Sequence, residues 1–126
     1  MRIPEIIYLQ QLAWTPSPVV AGVEVKYFAN APDQTPDDMM ILKIEVGNNI
    51  RWHVHEKATE VNYVLQGHSR LRYAENENSP SAYEHDLEPG MAFIIPAELW
   101  HSFINLGDET ALFFSLHISK EAQGGD

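Results

Sequence analysis

Three histidines and one glutamate have the residue types and spacing to share a divalent cation. His53-Val54-His55 places two imidazoles two residues apart. Strand side chains alternate with a period of two, so on a strand both rings point to one face and two nitrogens can reach one ion. Glu60 follows after the polar stretch Glu56-Lys57-Ala58-Thr59. An uninterrupted strand would set Glu60 on the opposite face. A turn in that stretch instead returns the chain with its carboxylate facing the same interior. His101 lies in a second cluster with Gly90, Pro96 and Asn105, and a neighbouring strand there would supply a third imidazole. Such a nitrogen–oxygen set without sulfur suits divalent Fe, Mn, Ni, Co, Cu or Zn. Open coordination positions on the ion could polarise a carbonyl or carboxylate, activate water or bind O₂.

The elements that must position these groups read as strands. Val23 to Phe28 alternates apolar and polar residues, and Met39 to Val46 is an apolar run ending at Gly47-Asn48-Asn49. Strands follow over Arg51–His55, Val61–Gln66, His68–Tyr73, Met91–Ile95, Ser102–Leu106 and Thr110–Ile118, punctuated by turn residues such as Gly67 and Leu87-Glu88-Pro89-Gly90. Glu75–Pro80 reads as an exposed loop. Pro32–Asp38 reads as a loop or a single helical turn, and Lys120–Asp126 as a frayed end. Many short strands without intervening helices point to an all-β antiparallel sandwich or barrel. We expect one domain over residues 1–126, with a barrel core at about 22–118, an N-terminal strand or arm at 1–21 and a tail at 119–126.

Other residues border the candidate site. Arg51 shares the parity of His53 and His55, so it is placed either to hold a substrate carboxylate or to stand exposed at the strand start. Phe113, Ser115 and His117 share one face of the last strand and line the cavity if that face points inward. Core packing favours the purely apolar alternative, Leu112, Phe114, Leu116 and Ile118, on the inside. Trp52, Trp100 and Phe103 are expected to pack the barrel. Tyr63 has parity opposite to Glu60 and should face out, while His68 and His85 should be solvated.

Composition removes other classes. The chain has 126 residues, no cysteine and a net charge of −10, with only eight Lys and Arg. Disulfides and thiolate chemistry are excluded, and the lack of cysteine fits a cytoplasmic protein. No basic run exists to meet nucleic acid or an anionic membrane, and no segment reads as a signal peptide or a membrane span. The expected partner is a small-molecule ligand or substrate.

Gly47, His53, His55, Glu60 and Gly67, followed by Gly90, Pro96, His101 and Asn105, fall at the spacings of the two motifs of the cupin family, which this chain therefore resembles. Glu98 stands where the second motif has a glycine. The resemblance implies a double-stranded β-helix, or jelly-roll barrel, with His53, His55, Glu60 and His101 as metal ligands pointing into it. It implies frequent dimerisation, hence a homodimer, for which the apolar Ile6-Ile7-Tyr8-Leu9 is one candidate contact. It favours iron or manganese. It also makes dioxygenase-type oxidation of a small, oxygen-rich anionic molecule the leading activity, with Glu60 as ligand and catalytic base. A metal-dependent isomerase or decarboxylase, or a non-catalytic ligand-binding module, is the alternative. At Glu98 we expect the turn to take another shape; the competing reading makes its carboxylate a proton acceptor or extra ligand at the pocket rim.

Overall fold

Ten strands form in the computed structural model, which describes residues 3–4, 6–17, 22–27 and 38–119. They are β1 (Thr15–Pro16), β2 (Val23–Tyr27), β3 (Asp38–Ile44), β4 (Asn49–His53), β5 (Ala58–Gln66), β6 (Ser69–Ala74), β7 (Tyr83–Leu87), β8 (Ala92–Ile95), β9 (Trp100–Asn105) and β10 (Ala111–Ser119). A single 3₁₀ turn at Leu9–Gln11 is the only helical element among the described residues. Pairing is antiparallel throughout and gives a six-stranded sheet, β1-β2-β3-β10-β5-β8, facing a four-stranded sheet, β4-β9-β6-β7. This is the expected jelly-roll barrel.

Alternation builds the interior. Val23 and Val25 of β2, Met40, Leu42 and Ile44 of β3, Val64 of β5 and Phe113 of β10 are buried. Phe93, Phe103 and Phe113 meet across the interior, with ring centroids 5.8 to 6.3 Å apart. Each fully buried side chain of this size contributes about 1.5–3 kcal/mol through removal of apolar surface from water.

The strand registers then stack the interior in layers. His53 and Tyr73 both pair with His101, and Glu60 pairs with His117 on one side and Ile95 on the other. One step along the strands lies a second layer, in which Phe103 pairs with Ile50 and Leu71, and Asn62 pairs with Ser115 and Phe93. The first layer is mostly polar and the second partly so, which places the chemistry at one end of the barrel and the aromatic core towards the other.

The β5–β6 turn depends on Gly67. Its φ is +91°, and a Cβ there would stand 2.9 Å from Ala111 Cα and 3.1 Å from the Thr110 carbonyl oxygen. Only glycine fits both restrictions.

Two expectations change. The face of β10 that points inward carries Ala111, Phe113 and Ser115, all buried, and His117; the purely apolar set faces outward and is half-buried. Strand β7, absent from the sequence reading, pairs only with β6 among the described residues. As an exposed edge, its charged sequence Tyr-Glu-His-Asp-Leu discourages pairing with other chains and shows no alternation. The Pro32–Asp38 loop falls outside the described residues except for the Asp38 backbone, and the Lys120–Asp126 tail falls wholly outside them. Ile6 and Tyr8 are exposed, in chain that is not a strand.

Candidate metal centre

The site forms where β4 ends. His53 is the last residue of β4, and His55 lies in the following loop rather than on the strand. The turn to β5 is short, because that strand already begins at Ala58, and it delivers Glu60 to the interior at 3% exposure. His101, in β9, is fully buried. Ligand atoms of His53, His55, Glu60 and His101 all lie within 4.8 Å of one another. The His53 ring lies 4.2 Å from that of His101 and 4.9 Å from that of His55, centroid to centroid.

Backbone carbonyls fix the ring orientations. His53 Nδ1–H donates to the Arg51 carbonyl at 2.6 Å, and His101 Nδ1–H donates to the Leu99 carbonyl at 2.8 Å. In a neutral imidazole this leaves Nε2 as a bare lone pair. His101 Nε2 nevertheless faces Glu60 Oε1 at 3.2 Å, with His55 Nε2 at 3.4 Å and His117 Nε2 at 3.7 Å from the same oxygen. Acceptors crowded this closely in a buried space repel unless a proton or cation lies among them. The donor set therefore fits a divalent ion.

Electrostatics keep the donors in ligating form. Burial, followed by the neighbouring His101 imidazole, lowers the His53 pKa to about 4, so the ring is neutral at pH 7. Burial alone would raise the Glu60 carboxyl. In the metal-free site, a proton shared between the facing rings and the carboxylate lets hydrogen bonds from His101, His117 and His55 outweigh burial and hold the group well below the ordinary carboxylate range. Its second oxygen is also occupied: Asn62 Nδ2–H donates to Glu60 Oε2 at 3.0 Å, and Ser115 Oγ–H donates to Asn62 Oδ1. Asn62 and Ser115 are 1% and 0% exposed, so this chain is sealed from water and aims the carboxylate.

The turn before β9 braces the His55 loop of the candidate site. Leu99 N–H donates to the Pro96 carbonyl, and Glu98, third in this turn, has φ +73°. The turn therefore keeps the left-handed conformation that favours glycine, contrary to the expectation of another shape. Glu98 N–H donates to the His55 carbonyl at 2.9 Å, tying the His55 loop to the start of β9. The Glu98 side chain is exposed and outside the converging donor set.

Not every residue singled out in the sequence reaches this centre. A bulge between Ile50 and His53 puts both of those residues inside and leaves Arg51 exposed, so Arg51 does not share the ligands' face. Its contribution is the carbonyl that orients His53. Phe113 lies deep in the aromatic core, and Ser115 reaches Glu60 only through Asn62. His117 stands beside the centre, its ring 4.8 Å from that of His55. Trp52 and Trp100 do not pack the interior: they stack on each other at 6.2 Å, with the Arg72 guanidinium over Trp52. Phe103 is interior and Tyr63 is exposed, as expected. Asn105 pins the β9–β10 turn, donating to the Ile44 and Glu109 carbonyls and accepting from Gly107 N–H. Sequence reasoning missed Asn62. Its parity with Glu60 is the signal that would have found it.

A barrel of this topology with an inward His₃Glu cluster defines a cupin, and the cupin domain model matches residues 40–117. The chain belongs to the cupin family. It is 38% identical over 61 residues to Spherulin-1B of Physarum polycephalum, a match covering 48% of this chain and 24% of that protein. The chain thus spans only a fraction of the length of that curated relative. Its fold is similar to that of a Thermotoga maritima protein described as a predicted oxalate decarboxylase, with TM-score 0.77, 17% identity and coverage of 91% and 99% of the two chains. It is also similar to Fe(II) HppE, with TM-score 0.71, 13% identity and coverage of 91% and 60%. No helix among the described residues is long and apolar enough to cross a membrane.

Proposed function

We propose that this chain is a metal-dependent enzyme acting on a small molecule held beside His53, His55, Glu60 and His101, with dioxygenase-type oxidation at iron or manganese as the leading reaction. The observation that carries the reading is the convergence of the His53, His55 and His101 ring nitrogens and a buried carboxylate oxygen within 4.8 Å of one another, with His101 Nε2 3.2 Å from Glu60 Oε1. When bound, the ion supplies Lewis acidity and, for iron or manganese, redox chemistry with O₂ as co-substrate.

The chain's own residues divide the remaining work. His53 and His101 present Nε2 because their Nδ1–H groups are committed to carbonyls. Glu60 serves as a ligand held by Asn62; a carboxylate with so low a pKa is a poor base at neutral pH, which counts against the catalytic-base role. His55, with its side chain 30% exposed, leaves the centre open to an entering molecule. The description of the Thermotoga maritima neighbour supports decarboxylation as the alternative reaction, and isomerisation or simple ligand binding would use the same centre. Exposed Ile6 and Tyr8 support the proposed homodimer, which sedimentation velocity tests directly.

The deciding experiment has two stages. Element-resolved analysis of protein prepared without added metal should find about one equivalent of a transition metal. The Fe(II)-loaded protein is then given a panel of diketones, catechols, thiols and keto acids, and O₂ uptake with at least one class is expected. Silence across the panel with tight ligand binding by calorimetry would replace the enzyme reading with a binding module.

A further inference from the structure

A second feature of the interior bears on what enters it. β7 and β8 are edge strands of the two sheets, and among the described residues no ladder joins them. Between them lies a cavity of ≈ 560 Å³ walled by Leu71, Tyr73, Leu87, Phe93, Ile95 and Leu99. Tyr73 is the register partner of His101, and Ile95 is the register partner of Glu60. Two wall residues thus share the strand layer of the candidate metal ligands, which themselves border the cavity rather than line it.

The side chains that line it are apolar except for those of His85 and Tyr73. No Lys, Arg, Asp or Glu lines it. The described cations lie elsewhere. Lys26 and Lys43 cover Trp14, Arg70 pairs with Asp86, Arg72 lies over Trp52, and Arg51 and Lys57 are exposed. A polyanionic, oxygen-rich molecule would find no countercharge here beyond the metal centre and its histidines, and burying its charges against Leu71, Leu87 and Phe93 would be costly. An apolar body faces no such cost. Cavities of roughly 300–1,000 Å³ hold drug-sized ligands and about 150 Å³ suffices for benzene, so this space accepts a one- or two-ring molecule.

We propose that the ligand of this cupin is amphipathic: one chelating oxygen head at the metal centre, and an aromatic or branched aliphatic body in the β7–β8 cavity. This inference rests on the metal reading above and revises the small, oxygen-rich anionic substrate expected from the sequence.

The test uses two probe types. Acetohydroxamate and benzohydroxamate share a chelating head and differ in the body. By calorimetry on the metal-loaded protein, benzohydroxamate should bind roughly ten- to a hundred-fold more tightly, the effect of burying one ring. Leu99→Glu, at a half-buried position, should reduce that preference to less than about three-fold, read as the ratio of the two affinities within the variant so that any change at the His101 end cancels. The uncharged fluorophore N-phenyl-1-naphthylamine should bind the metal-free protein saturably and be lost in Leu99→Glu, with Leu99→Gln as the milder variant if the charge prevents folding. Equal affinities of the two hydroxamates for the wild type, or fluorophore binding indifferent to both Leu99 variants, would overturn the proposal. Failure of both hydroxamates with the fluorophore result intact would remove the metal reading while supporting the apolar cavity.

Discussion

Asn62 offers the sharpest test of how the barrel holds its carboxylate. Asn62→Leu keeps the approximate volume and removes both hydrogen-bonding groups. Glu60 Oε2 then loses the amide donor at 3.0 Å, and the Ser115 hydroxyl loses its acceptor, both in an interior no more than 3% exposed. A hydrogen bond to a charged group contributes about 1.5–3 kcal/mol, and an unsatisfied buried hydroxyl costs about 1–3 kcal/mol. The added apolar surface of leucine offsets part of this, about 1–2 kcal/mol. The net expectation is a loss of about 2–3 kcal/mol in the metal-free protein, or about 10 °C in melting temperature for a domain of this size. Adding Ser115→Ala to Asn62→Leu removes the orphaned hydroxyl and should recover about 1 kcal/mol, so the two substitutions will not add. Denaturant unfolding of the chelated protein measures both terms.

The same substitution should weaken metal binding. Glu60 Oε2 without its donor is free to rotate, and loss of such an orienting partner typically costs 10–100-fold in affinity. A competition titration against a chromophoric chelator reads this directly. Metal affinity within a factor of two of the wild type, in a variant that unfolds at the wild-type denaturant concentration, would refute the claim that the Ser115–Asn62–Glu60 chain positions the ligand.

Three further outcomes are expected. Chelation should lower the melting temperature of protein isolated with its metal, because a ligand present at ~1,000 times its Kd adds about 4 kcal/mol to stability; an unchanged melting curve with metal loss confirmed counts against the centre. In the metal-free protein, stability should fall as pH drops from about 6.5 towards 4. Unfolded His53 takes up a proton across that window while folded His53, its pKa lowered to about 4, does not. Discounted for its partial exposure, the loss is on the order of 1–2 kcal/mol, and Asn in place of His53 should remove it. Glu60 adds to the loss only below its ordinary pKa, because its folded value is depressed. At Glu98, with φ +73°, Gly should be neutral or stabilising by up to ~1 kcal/mol and Val clearly destabilising, as urea midpoints would show. Metal affinity that survives Glu98→Gly would confirm that its carboxylate is no ligand.

The sequence carried the parts of this structure that are periodic or motif-spaced. Strands such as β2 and β5 alternate because one face is buried and one is not, and that pattern is visible in a single chain. The four candidate ligands were legible because their spacing, not their neighbourhood, marks them. Strand β7 was not legible, because an exposed edge strand has no buried face to imprint alternation. The inner face of β10 was misjudged because both faces carry apolar residues, so hydrophobicity cannot rank them. Asn62 reads locally as a surface residue between Val61 and Tyr63; only its register with Ser115 and its parity with Glu60 place it inside.

Arg51 was misplaced for a more instructive reason. A regular ladder that turns His53 inward must also turn Arg51 inward and Ile50 outward. That arrangement would bury a guanidinium and expose an isoleucine, the reverse of what solvation favours. The bulge between Ile50 and His53 escapes the conflict by inserting one residue, so both Ile50 and His53 face the core while Arg51 stays in water. The Glu98 turn is the second departure from regular geometry, and it too acts on a ligand, through the hydrogen bond to the His55 carbonyl. One irregularity therefore falls on the segment that presents His53 and His55, and the other is hydrogen-bonded to it. The barrel tolerates strain there because straight strands would aim the wrong side chains at the centre, and that is where reasoning from periodicity alone had to fail.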